Sequence, residues 1–415
     1  MTNDEPLNGV IRMIRVLVAD DSAFMRQVLS DLFRKQPDFE VLGTAMNGKE
    51  AVSKVKQLKP DLLTLDVNMP VMDGLEALAI IMDECPIPVV MLSSLTQKGT
   101  NATVRALGLG AVDFISKVGG SISRIDSIEQ ELLQKCRAAA KAHVQKMSFV
   151  TKKADESAGH SAVPVMKRVE MPRRQGMKLG TVTAPEPIAP KPVFGTKRNN
   201  PLLQSRSSVP ASIGRPSPIV AGSFGRSDKL VVIGTSTGGP QALQNVITRL
   251  PGNLPCGVVI VQHMPAGFTK ALADRLNSIA QISVKEAEDG EEIRSGHVYI
   301  APGDFHLRVK GDGGIRRIKL SQEARVGNHR PAVNVMYDSV ASLGRKLIAV
   351  IMTGMGSDGC EGMKKIKASG GYSIAQDEST CVVYGMPKAV VDAGLADEVR
   401  PLQDIAGAIV EAVKR

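Results

Sequence analysis

The 415 residues contain no tryptophan, and tyrosine (4) and phenylalanine (9) are few. Aromatic platforms on which successive nucleobases stack are therefore scarce. No apolar run approaches the roughly 18 residues needed to cross a bilayer, so membrane insertion is not expected. The opening Met1-Thr2-Asn3-Asp4-Glu5 is acidic and lacks the apolar stretch of a secretory signal. Cys85, Cys136, Cys256, Cys360 and Cys381 are scattered without metal-ligand spacing. They read as buried thiols in a reducing cytoplasm. Acidic residues are short in one place only. Between Lys146 and Arg226 fourteen Lys and Arg face four Asp and Glu, a surplus of ten that equals the net charge of the whole chain, +10. The flanking regions are near neutral. The basic segment holds only Phe149, Phe194 and Phe224 as aromatics, which weakens a nucleic-acid reading of the charge.

Four short apolar runs in the first third each end in a polar group. Val16-Leu17-Val18-Ala19 leads into Asp20-Asp21, and Leu62-Leu63-Thr64-Leu65 ends in Asp66. Val89-Val90-Met91-Leu92 ends in Ser93, and the run through Phe114 and Ile115 ends in Lys117. Helical patterns lie between them, from Ala23 to Phe33 and from Lys49 to Leu58, and a closing helix is expected from Ser127 through Ala142. Alternation of this kind predicts βαβ units around a parallel sheet, whose carboxyl edge is where ligands bind. Three carboxylates, a hydroxyl and a lysine at one edge suit a hard divalent cation and a phosphoryl group. Taken singly, each residue has a blander role: a strand-end Asp caps a helix or forms a turn, and a Lys is a solvated charge.

The ordered set Asp20-Asp21, Asp66, Ser93, Lys117, with Asn68-Met69-Pro70 and Asp73-Gly74, resembles the receiver domain of two-component response regulators. That resemblance implies Asp66 as phosphoacceptor. It implies Mg²⁺ held by Asp20, Asp21, Asp66 and the Asn68 carbonyl, and Ser93, Phe114 and Lys117 as switch residues. A histidine kinase would be the phosphodonor.

From about Met147 to Ser227 periodicity disappears. Proline- and serine-rich text, such as Pro185 to Pro192 and Ser207 to Pro218, reads as a flexible basic linker. Apolar runs return at Leu230–Ile233, Gly257–Val261, His297–Ile300 and Leu347–Met352. They predict a second doubly wound sheet. Its loops carry Gly234-Thr-Ser236-Thr-Gly238-Gly239, Gln262-His263-Met-Pro-Ala-Gly-Phe268 and Thr353-Gly-Met355-Gly-Ser-Asp358-Gly359. The first is a Gly-x-Ser-x-Gly turn between strand and helix, which exposes a serine. Ser236, His263 and Asp358 form a candidate nucleophile, base and orienting carboxylate. The N–H of Thr237 and one from the Gly354–Gly356 turn, at Met355, form the candidate oxyanion hole. Taken alone, the glycine turn could instead cradle a nucleotide phosphate, and the His329-Arg330-Pro331 loop could be structural or face the substrate.

Together these loop sequences, with Tyr299-Ile-Ala-Pro-Gly303 and His329-Arg-Pro331, closely resemble the chemotaxis protein-glutamate methylesterase family, CheB. The resemblance implies an α/β protein with an N-terminal (βα)5 receiver domain over 13–135. A linker over 147–227 and a C-terminal doubly wound parallel-sheet α/β esterase domain over 228–415 follow. It also implies a cytoplasmic enzyme that removes methyl esters from glutamates of methyl-accepting chemoreceptors and deamidates glutamines there. Mg²⁺ would serve the receiver alone, and the esterase would need no cofactor. Two rivals compete with this reading. One is a response regulator that binds nucleic acid through the basic segment, and the other is a free-standing small-molecule esterase. The first is opposed by the lack of a helix-turn-helix pattern, the second by the attached receiver.

Overall fold

A computed structural model describes residues 13–94, 96–117, 125–142, 227–311 and 315–415. The basic linker expected over 147–227 lies outside the described residues except at Ser227.

The first domain alternates β1 (Ile14–Ala19), α1 (Ala23–Arg34), β2 (Phe39–Ala45), α2 (Gly48–Leu58), β3 (Leu62–Asp66) and α3 (Gly74–Glu84). It continues with β4 (Val89–Ser94), α4 (Gln97–Gly108), β5 (Asp113–Lys117) and α5 (Ile125–Ala139). The strands pair in parallel in the order β2-β1-β3-β4-β5. The central β3 is buried along its whole length, as expected of a strand covered by helices on both faces. Side-chain caps start the helices: Ser22 accepts from the Met25 N–H, and Asn47 accepts from the Glu50 N–H. Asp73 and Glu76 form a reciprocal capping box at α3. The chain folds back across β1 to begin β3, so the strand order reverses between them. Asp20, Asp21 and Asp66 meet at that reversal. The α5 helix ends three residues earlier than its apolar pattern suggested. Past Ala139 the chain tightens into i→i+3 bonds, Lys141 to Ala138 and Ala142 to Ala139.

The second domain opens with β6 (Leu230–Thr235), α6 (Gly239–Ile247), β7 (Gly257–Gln262), α7 (Phe268–Ile279), β8 (Ser283–Glu286) and β9 (His297–Ile300). A hairpin of β10 (His306–Lys310) and β11 (Arg317–Ser321) precedes α8 (Val333–Val340), β12 (Leu347–Ile351) and α9 (Cys360–Ala368). The chain closes with β13 (Tyr372–Gln376), α10 (Met386–Asp392), β14 (Glu398–Arg400) and α11 (Leu402–Lys414). Seven parallel strands run in the order β14-β13-β12-β6-β7-β9-β8. The strand order reverses between β6 and β12, and the loops after β6, β7 and β12 open at that edge. Burying both sheet faces against helices is what selects the continuous apolar runs in β6, β7 and β12, all fully buried.

The described parts of both domains belong to one compact unit. Helix α4 of the first domain packs on α6 and α7 of the second. The Phe114 ring lies on Phe268 with centroids 4.4 Å apart.

Candidate active site and phosphorylation site

Three loops of the second domain bring Ser236, His263 and Asp358 into one chain of hydrogen bonds. The serine follows β6, where its N–H donates to the Thr353 carbonyl (3.0 Å) and its own carbonyl accepts from Gly239 N (2.7 Å). The turn is tight because no side chain fits at its two glycines. A Cβ on Gly239 would meet Gln262 Oε1 at 2.0 Å and Thr235 Oγ1 at 2.4 Å, and Gly238 has φ +77°. Gln262, buried at the end of β7, donates to the carbonyls of Ser236 (3.0 Å) and His263 (3.1 Å), tying the two loops together.

His263 presents Nδ1 to Ser236 Oγ at 3.2 Å and Nε2 to Asp358 Oδ2 at 2.8 Å. An ionised carboxylate only accepts, so Nε2 carries the proton and the Nδ1 lone pair faces the serine. The nitrogens are used in the reverse sense of the serine-protease arrangement, where Nε2 faces serine. Asp358 also accepts from the N–H groups of Val333 (2.6 Å) and Asn334 (3.0 Å), which open α8. Burial on its own would raise the Asp358 pKa. The bond and charge of His263, together with those two backbone donors, outweigh burial and leave it below the ordinary carboxylate value. His263 is thus held by an ionised partner.

Of the candidate oxyanion residues, Thr237 is buried directly after the serine, and Met355 lies half-buried in the loop after β12. That loop is close: a Cβ on Gly354 would stand 2.9 Å from Ser236 Cβ. The Thr237 hydroxyl donates to Asp113 Oδ2 at 2.6 Å, and Gly238 N donates to the Val112 carbonyl at 3.2 Å. Both partners belong to the receiver. Asp113 also accepts from Phe114 N (2.7 Å) and pairs with Lys135 (3.2 Å). Burial pulls the Lys135 ammonium down, but Asp113 and Glu131 overcome it and hold its pKa above normal. From the sequence alone Asp113, Lys135 and Gln262 have no evident role. Their one signal was polarity at the mouth of an apolar strand or on a helix face, which does not name a partner in another domain.

At the carboxyl edge of the first sheet, ligand atoms of Asp20, Asp21 and Asp66 lie within 4.8 Å of one another. Lys117 Nζ sits 2.7 Å from Asp20 and 3.0 Å from Asp66. Burial raises the Asp66 pKa; Lys117 opposes it, and Asp20 and Asp21 add to it, with a net upward shift. Three carboxylates against one lysine leave an excess of negative charge, and an all-oxygen donor set suits Mg²⁺. Asn68 is exposed in the loop just after β3. Ser93 is fully buried; its hydroxyl donates to the Gly99 carbonyl (3.2 Å) and accepts from Thr103 (2.5 Å), so it is turned towards α4. Phe114 is also buried, against Phe268.

Residues 16–126 match the response regulator receiver domain, and residues 231–409 match the CheB methylesterase domain. A protein-glutamate methylesterase/protein-glutamine glutaminase 1 from Oleidesulfovibrio alaskensis is 44% identical over 97% of this chain and 100% of that protein. The chain belongs to this family. A second member, from Thermotoga maritima, is 43% identical over 97% of this chain and 99% of its own length. The crystal structure of the T. maritima CheB methylesterase catalytic domain is 52% identical and covers 45% of this chain and 98% of that one, with a TM-score of 0.44. Family membership joins a receiver to a hydrolase in one chain, the pairing that the two sheets display. Among the described residues no helix is long and apolar enough to cross a membrane.

Proposed function

We propose that the chain is a phosphorylation-controlled esterase of the chemotaxis system that hydrolyses glutamate methyl esters on chemoreceptors and deamidates glutamines there. The observation that carries the reading is the Asp358–His263–Ser236 relay at the switch point of the second sheet, in a chain whose relatives bear that activity in their names.

The geometry fits acyl transfer. Ser236 Oγ adds to the ester carbonyl carbon as its proton passes to His263 Nδ1. The carbonyl oxygen becomes an oxyanion that the N–H groups of Thr237 and Met355 would receive. The C–O bond to the methoxy group breaks, and methanol leaves with the proton from His263. Water then adds to the acyl-enzyme, giving its proton to His263. The C–Oγ bond breaks, glutamate is released and the serine is reprotonated. A primary amide follows the same course with ammonia as leaving group.

The receiver supplies the control. Phosphate from a histidine kinase goes to Asp66. Asp20, Asp21, Asp66 and Asn68 would hold Mg²⁺, whose charge offsets repulsion between the carboxylates and the incoming group. Strand β5 ends at Lys117 beside Asp66 and begins at Asp113 on the catalytic turn, so the unphosphorylated receiver restrains Thr237 directly. Enzyme, kinase and the signalling ends of receptors would meet in the cytoplasm. In this reading the basic segment is a tether with no nucleic-acid role.

Methylated receptor membranes should release methanol on addition of the protein, faster with acetyl phosphate and Mg²⁺. Absence of release under both conditions rejects the reading. Asp113→Ala combined with Lys135→Met removes the bond to Thr237 without stranding a buried cation. This double variant should raise the unphosphorylated rate towards the phosphorylated one, by about tenfold if the restrained form dominates about 10:1. An unchanged basal rate would show that the bond does not restrain the site.

A further inference from the structure

The imidazole of His329 lies face to face on that of His263, with centroids 3.8 Å apart and ring planes only 8° from parallel. Its loop holds it there. Gly327 and Asn328 both have positive φ (59° and 67°), and Val326 and His329 exchange backbone hydrogen bonds (3.0 and 3.1 Å). This is the tight two-residue turn whose central residues are both left-handed. The next residue, Arg330, bonds to Asp304 (2.6 Å) and to the carbonyls of Gln322 (3.0 Å) and Glu323 (2.8 Å). Three residues further on, Val333 and Asn334 supply the N–H groups that hold Asp358. One short stretch therefore presents a flat face to the base and two donors to the carboxylate behind it.

From this we infer that His329 is a positioning residue for the reaction: its ring fixes the plane of His263 so that Nδ1 stays aimed at Ser236. The inference rests on the proposed triad. The His263 ring turns about a soft, broad torsion. Ser236 and Asp358 constrain its two edges but leave tilting out of the plane open. A parallel ring at 3.8 Å closes that motion. His329 is suited to this because it stays neutral. Burial and then the neighbouring His263 push its pKa down to about 4, so no second cation arises beside the base at neutral pH. Small misplacements of a catalytic group cost up to about 100-fold.

The test uses the full-length protein with acetyl phosphate and Mg²⁺, and two readouts. One is methanol release from methylated receptor membranes. The other is the rate at which a fluorophosphonate modifies Ser236, followed by intact mass, which needs the triad and no receptor. His329→Ala should lower kcat and slow modification by about 10- to 100-fold, with KM within about twofold. His329→Phe keeps a flat ring without nitrogens and should recover most of both rates. Wild-type modification rates in His329→Ala would overturn the inference. So would a rise in KM alone, which marks a substrate contact, or failure of a folded His329→Phe protein to recover, which marks chemistry at the imidazole nitrogens. A wild-type protein that is modified at Ser236 yet leaves receptors untouched defeats the receptor reading, while the comparison of modification rates still decides the role of His329.

Discussion

Ser236→Ala should lower methanol release by about 10⁴- to 10⁶-fold, and His263→Ala by a similar factor, because members of a triad act as a unit. The fold should survive the serine change. Ser236 itself shapes the turn through its backbone atoms: its N–H donates to Thr353, and its carbonyl accepts from Gly239 N and the Gln262 side chain. Alanine keeps all three and loses only the 3.2 Å contact with His263, so the stability cost should stay below about 1–2 kcal/mol. The measurement is the initial rate on methylated receptors, with melting temperature as the control. A folded Ser236→Ala protein with a near-normal rate would remove Ser236 as nucleophile.

Loss of phosphoryl uptake should be complete in Asp66→Asn. Acetyl phosphate and Mg²⁺ should label the wild type and leave the variant unlabelled, and EDTA should abolish labelling of the wild type. Labelling of the variant, or of the wild type in EDTA, rejects the assignment. The same substitution carries a stability prediction with a definite sign. The folded pKa of Asp66 is raised, so the folded state binds that proton more tightly than the unfolded chain. Its contribution is then lost as pH rises, and at neutral pH the ionised, buried Asp66 destabilises the fold. Without a cation, Asp66→Asn should melt higher than wild type. Adding Mg²⁺ should stabilise the wild type by more than the variant.

Much of this was legible in the chain because both sheets are parallel and buried. Strands covered on both faces must be continuous apolar runs, and the functional side chains follow at their carboxyl ends. That rule puts Asp66, Lys117, Ser236 and His263 among the candidates. Asp358 is less direct: it stands seven residues beyond β12, at the end of a glycine-rich loop, and only its loop sequence marked it. The strands that escaped notice lie at a sheet edge, are short or are half polar; the longest of them is β2 (Phe39–Ala45), an edge strand of the first sheet. β8 (Ser-Val-Lys-Glu) and β14 (Glu-Val-Arg) lie at the sheet edges, where one side needs no apolar cover, and β13 is interrupted by Ser373. The hairpin β10–β11 stands outside the sheet and alternates charged with apolar residues. Contacts between domains were the least legible. Nothing in the spacing of Asp113 predicts a hydrogen bond to Thr237, 124 residues away, because such a pair is set by how two finished surfaces meet.

Strand β5 spans about 13 Å from Asp113 to Lys117 at the usual rise per residue, touching the turn that carries Ser236 at one end and the acidic pocket at the other. A rod with a site at each end carries influence in both directions, since coupling free energy is reciprocal. If phosphate on Asp66 loosens the grip on Thr237, then a substrate that pushes the receiver off Thr237 must favour phosphate on Asp66 by the same factor. Receptor membranes should therefore raise the equilibrium level of phosphorylated protein at fixed phosphodonor, most of all when their glutamates are methylated. The enzyme would then be charged preferentially where its work remains undone.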